Sequence, residues 1–398
     1  MKLQTTITEK KSGLEFKALT VANKVAAWLP FMRKFLDESA QKYSRVARTY
    51  YEDGNVESAI GYYERALARS PTNVAILNDL AQLCYENDRL EEAETFYKRA
   101  LEEDYFNERA LKGLGFSLHW RGNIDEALYT YLRYLDLNGE DYDVLLNLSA
   151  LFLDSGDDEK AIEFSERAAD ADPTKGPPYL NLASAQFNLG NFSEAELSAR
   201  KAIELDRNEE SLRLLGLVLE TLGKTQEALD VYIEASTINP TDPYTYLDLA
   251  RLLNKMGRNS EYLENALKTV ELFKDHPDKV GRSGSYWDLG WAYYKLGQWE
   301  KSAEASSKAL EVDPDLASPR FNLGLALLHL GKPDDAKKEY LVGIKNSKLV
   351  DLKNDAIDDL EAALKKNPQL KGGQEILDIL MAESKKLEKQ RPIRSVQS

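Results

Sequence analysis

The chain has 398 residues, with 67 Asp+Glu against 52 Lys+Arg and a formal charge of −15. Hydrophobic residues make up 43%, enough for a core, which excludes wholesale disorder. The acidic balance argues against nucleic acid as the main partner, a single cysteine, Cys84, excludes an internal disulfide or a cysteine-based zinc site, and His119, His276 and His329 are not spaced as a metal cluster.

Residues 1–13 are polar, lack the apolar stretch of a secretion signal, and are read as a mobile segment. No run approaches the roughly 20 apolar residues of a membrane span, so a cytoplasmic chain is expected. From 14 to 39, Leu14, Ala18, Val21, Val25, Trp28 and Leu29 recur at helical spacing. Pro30 suits the first position of a second helix carrying Met32, Phe35 and Leu36 and running on into Tyr43 and Val46. This amphipathic segment reads as a cap or as a docking helix for a partner or a second copy. The acidic body disfavours a membrane-surface role.

From residue 40 the chain repeats itself. Gly54, Ala59 and Pro71 stand at the same spacing as Gly223, Ala228 and Pro240. Aligned on such marks, units start at 40, 74, 108, 142, 176, 209, 243, 283 and 317, mostly 34 residues apart. In the unit at 209, Leu212, Leu215, Gly216 and Leu219 form one helical stripe, Gly223 stops it, and Ala228, Tyr232 and Ala235 form a second stripe that Pro240 ends. Small residues at 216 and 228 let the two helices approach. One hairpin buries only one face, so the units must stack.

These residues resemble the tetratricopeptide repeat (TPR), a 34-residue helix–turn–helix pattern. The matches include Tyr43, Ala47, Tyr50, Gly54, Ala59, Tyr63, Ala66 and Pro71, and later Arg320, Leu323, Gly324, Leu327, Gly331, Ala336 and Tyr340. The resemblance covers 40–350 and implies an all-α fold, a right-handed α-α superhelical solenoid of about nine hairpins with helical caps at both ends. It also implies a non-catalytic protein–protein interaction scaffold. The alternative is a self-assembling structural or adaptor element acting through its end helices.

Two units depart from the pattern. At 243, Tyr262 replaces the usual alanine, no proline closes the unit, and the second helix should run to Phe273, followed by a loop at Gly281–Gly284. At 283, Ser302 and Ser306 replace Ala and Tyr, and looser packing is expected. Beyond the repeats, 351–387 reads as a degenerate C-terminal hairpin and 388–398 as a disordered basic tail. Residues 1–39 hold seven Lys/Arg against four Asp/Glu, and 381–398 five against two, which leaves −21 on the body. That charge keeps a solenoid in solution or steers a basic partner segment.

The first helices of stacked hairpins line the concave face, and their positions not used in the helix–helix core are the candidates for partner contact. They supply Arg45, Arg48, Asn78, Lys112, Asn147, Asn181, Arg213 and Asn322. Asn147 and Asn181 hold equivalent positions, and an amide can both donate to and accept from a peptide backbone. The resemblance implies that role, and Arg213 adds a carboxylate contact. The family's chaperone-tail clamp is matched only by Lys112 and Asn147, while Phe116, Pro177 and Asn181 depart from it, so chaperone tails are not expected as ligands. Trp287, Trp291, Tyr294 and Phe321 form a candidate apolar anchor. No Gly-rich phosphate loop, catalytic constellation, cofactor or metal site is indicated, and Cys84 sits at a core position.

Overall fold

The computed structural model describes residues 30–274, 276, 278–348 and 352–389. The segment 1–13, read above as mobile, the stripe from Leu14 to Leu29 and residues 390–398 of the expected tail lie outside the described residues, whereas 388 and 389 of that tail belong to the last helix, which corrects the expected boundary. Among the described residues every regular element is helical. The chain divides after Leu189 into two units.

The first unit holds α1 Pro30–Glu52, α2 Val56–Arg69, α3 Val74–Glu86, α4 Leu90–Glu103, α5 Glu108–Trp120, α6 Ile124–Asn138, α7 Tyr142–Ser155, α8 Asp158–Ala171 and α9 Pro177–Asn188. The second holds α10 Phe192–Leu205, α11 Glu209–Thr221, α12 Thr225–Ile238, α13 Pro243–Lys255, α14 Asn259–Phe273, α15 Lys279–Lys295, α16 Trp299–Val312, α17 Ala317–His329 and α18 Pro333–Asn346. A π-helical turn, Leu352–Ile357, then leads into α19 Asp358–Lys366 and α20 Gly373–Lys389. Successive helices pack pairwise, as an α-α solenoid of stacked hairpins requires.

Local chemistry sets these boundaries. Asn73, Asn107, Asp141 and Asn208 accept from the backbone N–H three residues on, which satisfies an otherwise orphaned donor at each helix start. At the end of α11, Gly223 takes φ +75°, and the next amide, that of Lys224, returns to Leu219 O at 2.8 Å.

Between paired helices a small residue faces a large one. A Cβ on Gly115 would fall 2.4 Å from the Tyr131 ring, and one on Gly216 would fall 2.4 Å from Tyr232. Tyr97, Tyr131, Tyr232 and Tyr340 are accordingly buried. The hairpin α15/α16 corrects one expectation. Ser302 and Ser306 are fully buried, and a Cβ on Gly290 would meet Ser306 Oγ at 2.7 Å and its backbone N at 3.3 Å. The missing tyrosine lets the two backbones close up rather than loosening them.

The loop expected at Gly281–Gly284 is also corrected, because these residues belong to α15. Asp278 starts that helix by accepting from Val280 N at 2.9 Å. Gly281 is needed for close approach, since a Cβ there would fall 2.4 Å from the Phe273 ring. The second helix of that hairpin does run to Phe273.

Candidate functional site

Most cationic candidates are already engaged, each with a carboxylate of the following hairpin. In the first unit Arg48 donates to Asp79 at 2.7 Å, and Arg109 reaches the other oxygen of the same carboxylate at 2.6 Å. Lys112 bridges Asp141 at 2.9 Å and Asp143 at 2.7 Å. In the second, Arg213 lies 3.0 Å from Asp248, and Arg251 lies 3.2 Å from Asp288. These contacts cross-link first helices along each unit. Arg45 is exposed and makes no ion pair with the described residues.

The amides are engaged too. Asn147 donates to Asp143 O at 2.7 Å, and its Oδ1 lies 3.2 Å from His119 Nδ1. Asn181 donates to Ser149 Oγ at 2.7 Å. Both side chains are half-buried within the first unit, whereas Arg213 belongs to the second. Asn78 is 3% exposed and donates to Asn107 Oδ1 at 2.8 Å, so it braces the cap of α5 rather than facing solvent. Its own Oδ1 has no donor among the described residues. Asn78, Arg109 and Lys112 line an open cavity of about 700 Å³.

The aromatic candidates divide. Phe321 is 1% exposed, with its ring 5.7 Å from that of Tyr340 and against Gly343, so it is a core residue and not an anchor. Trp291 stacks on Tyr294 at 4.9 Å, and Tyr294 contacts Trp299 and His329, which stack on each other at 4.0 Å. Trp299 was not singled out from sequence, because its place at the start of a second helix carries no groove signal.

Trp287 and Trp291 instead line a cavity of about 470 Å³ within the second unit. The first helices α11, α13, α15 and α17 supply Leu217, Glu220, Asp248, Arg251, Asn254, Lys255, Asp288 and Asn322, and the C-terminal cap supplies Asp355 and Asp359. Asn322 is 3% exposed, and its Nδ2 has no acceptor among the described residues. The buried Trp287 Nε1 likewise lacks one. Burial pushes the carboxyls of Asp248 and Asp288 up despite the opposing pull of Arg213 and Arg251. Asp359 is pushed up to about 7, chiefly by burial and then by Asp355, with Lys295 pulling the other way. The sequence could not find this pair of aspartates, because the cap departs from the repeat.

Among the described residues no group of His, Cys, Asp and Glu could hold a metal ion, and no helix is long and apolar enough to cross a membrane.

Stacked antiparallel hairpins with a small–large lock and a polar first-helix face define an α-α repeat protein. The tetratricopeptide repeat matches residues 50–114, 121–175 and 180–243, and a TPR repeat matches 290–331, together more than half of the chain. The protein belongs to the TPR family. The human protein O-mannosyl-transferase TMTC1 is 28% identical over 172 residues, 42% of this chain and 19% of that protein. Hsp70-Hsp90 organizing protein 1 of Glycine max is 23% identical over 223 residues, 53% of this chain and 37% of that one. This chain therefore spans well under half the length of either. Among solved structures, a chain of the APC/C hetero-tetramer Cut9-Hcn1 is 17% identical with a TM-score of 0.49, over 95% of this chain and 74% of that one.

Proposed function

We propose that this protein is a non-catalytic scaffold that holds a segment of a partner protein against its first-helix faces. The observation that carries this reading is the cavity of the second unit. Four successive first helices line it, and Trp287, Trp291 and Asn322 stand in the lining beside charged side chains. A concave lining of aromatic side chains with a few convergent polar groups is suited to a segment of another protein. Family membership supports the same reading. One relative is by name an organizing protein of two chaperones.

In the first unit the reading keeps Asn147 and Asn181 as contacts for a peptide backbone. Their present bonds to Asp143, His119 and Ser149 would be exchanged for bonds to the ligand. Arg213, in the second unit, would add a contact to a carboxylate of the partner. The departures at Phe116, Pro177 and Asn181 keep chaperone C-terminal tails out of the proposal.

Capture from a lysate of the source organism, read by mass spectrometry, tests the scaffold. The wild type is compared with Asn147→Ala/Asn181→Ala/Arg213→Ala and with Trp287→Phe/Asn322→Leu, with circular dichroism confirming that each folds. Loss of the same captured protein with either variant supports the reading. Unchanged capture by both variants overturns it.

A further inference from the structure

We propose that residues 14–29 of this chain fold back along α1 as an antiparallel helix and close the exposed N-terminal end face of the first unit. The inference stands apart from the scaffold reading and concerns a different surface.

The repeat itself marks this face as incomplete. In α3 the fourth, seventh and eleventh positions of the repeat are Leu77, Leu80 and Cys84, and in α5 they are Leu111, Leu114 and Leu118. None of the six is more than 6% exposed, and each of these helices follows another hairpin. The same positions of α1 are Tyr43, Val46 and Tyr50. Val46 is 39% exposed, and both tyrosines are half-buried. Tyr50 stacks on Tyr62 of α2 with ring centres 5.1 Å apart. The face is therefore an apolar packing surface of the kind that a further helix covers inside the stack.

The surface continues toward the start of α1. That helix has 23 residues where α3 and α5 have 13, and the added part precedes the repeat's first position at Ala40. Phe35 lies on the added part, close to three helical turns before Val46, and is 70% exposed.

The adjoining sequence supplies the occupant. Leu14, Ala18, Val21, Val25 and Trp28 recur at helical spacing, and one peptide bond, Leu29–Pro30, joins this stretch to α1. Proline lacks an N–H and restricts the residue before it, so a helix arriving at Leu29 stops there and the chain reverses. Equal rise on both sides of the reversal pairs Val25 with Phe35, Val21 with Ser39, Ala18 with Tyr43, and Leu14 with Val46. Small Ala18 then meets bulky Tyr43, and Lys24 comes beside Asp37 and Glu38, which carry the opposite charge. A second copy or a partner would have to displace a segment tethered at an effective concentration on the order of millimolar.

Disulfide trapping in the full chain tests this. Cys84 is buried, so introduced cysteines are the reactive thiols. Val21→Cys/Ser39→Cys and Leu14→Cys/Val46→Cys are oxidised with copper phenanthroline and read by intact mass and non-reducing electrophoresis. Val21→Cys/Glu52→Cys is the off-register control, with its two positions about 20 Å apart along α1 in the proposed arrangement. The matched pairs are expected to cross-link within one chain, at least tenfold faster than the control and at a rate independent of protein concentration. Limited trypsin digestion gives a second reading. Cleavage after Lys17 and Lys24 should be at least fivefold faster in Phe35→Asp/Val46→Asp, whose exposed sites leave the fold intact, than in wild type.

No cross-link, or equal rates for matched and control pairs, overturns the inference. A covalent dimer whose yield rises with concentration assigns the face to a second copy and overturns it as well. So does tryptic cleavage that Phe35→Asp/Val46→Asp leaves unchanged. Each of these results leaves the scaffold reading standing, because capture from lysate tests it separately.

Discussion

The Tyr262 hydroxyl donates to the main-chain carbonyl of Asp288 at 2.6 Å, and the carboxylate of that aspartate takes Arg251 at 3.2 Å. Tyr262 stands where Ala59, Ala93, Ala127, Ala161, Ala195 and Ala228 stand in other hairpins. The irregular hairpin therefore uses its one oversized residue to fix α15, a wall of the second-unit cavity. Tyr262→Phe is expected to lose on the order of 1 kcal/mol, the worth of one buried hydrogen bond, with ring packing intact. Tyr262→Ala should cost about 3–5 kcal/mol through the space it leaves. Urea unfolding followed by circular dichroism separates the two, and a Phe variant as stable as wild type would remove the hydroxyl from the account.

The contact of Gly216 with Tyr232 makes a second prediction. A Cβ on Gly216 would fall 2.4 Å from the ring, so Gly216→Ala should destabilise by roughly 1–3 kcal/mol through overpacking, even though alanine favours a helix. Gly61 has no such neighbour, and Gly61→Ala should be neutral or mildly stabilising by the same assay.

That contrast shows what the sequence could tell. The glycine–tyrosine spacing was legible because it recurs at a fixed offset, and with it came the hairpin, its caps and the stacked fold. Where the lock changes, the pattern misleads. Serine at 306 suggested looseness, yet it lets Gly290 approach the backbone, and Gly281 read as a turn although it makes room for Phe273. The candidate polar face was legible as a set of positions but not as a set of contacts. Position alone does not say that Arg48 belongs to Asp79, that Asn78 braces Asn107, or that Phe321 is covered by Tyr340 and Gly343. Asp355 and Asp359 were illegible because they come from a cap outside the repeat.

Asp88 occupies the turn position that glycine holds at Gly54, Gly122 and Gly223, and it shares their left-handed backbone at φ 58°. An L-residue with a Cβ is strained there, and aspartate tolerates it better than most. Asp88→Gly should therefore raise stability by about 0.5–1 kcal/mol, while Asp88→Val should lower it by more than that. A Gly variant with an unchanged unfolding midpoint would contradict the strain argument.

Cys84 is fully buried, and burial pushes its thiol up to about 12. The folded protein should react with a disulfide reagent at pH 8 orders of magnitude more slowly than the urea-unfolded chain. Stoichiometric labelling within seconds under native conditions would contradict this placement.

Asp359 gives the protein a specific pH dependence. Its folded pKa of about 7 lies above the ordinary 3.8, so between these values the native state binds more protons than the unfolded chain. Stability should then fall as pH rises from about 4 to about 7 and stay level above, opposite to the behaviour of an ion-paired carboxylate. Burial is the main cause, Asp355 and Asp358 add to it, and Lys295 opposes it. Asp359→Asn removes the titrating group and should gain on the order of 2 kcal/mol at pH 8, reduced from the full linkage value by partial solvent access, and nothing below pH 4. Unfolding by urea at pH 4, 6 and 8 reads the difference.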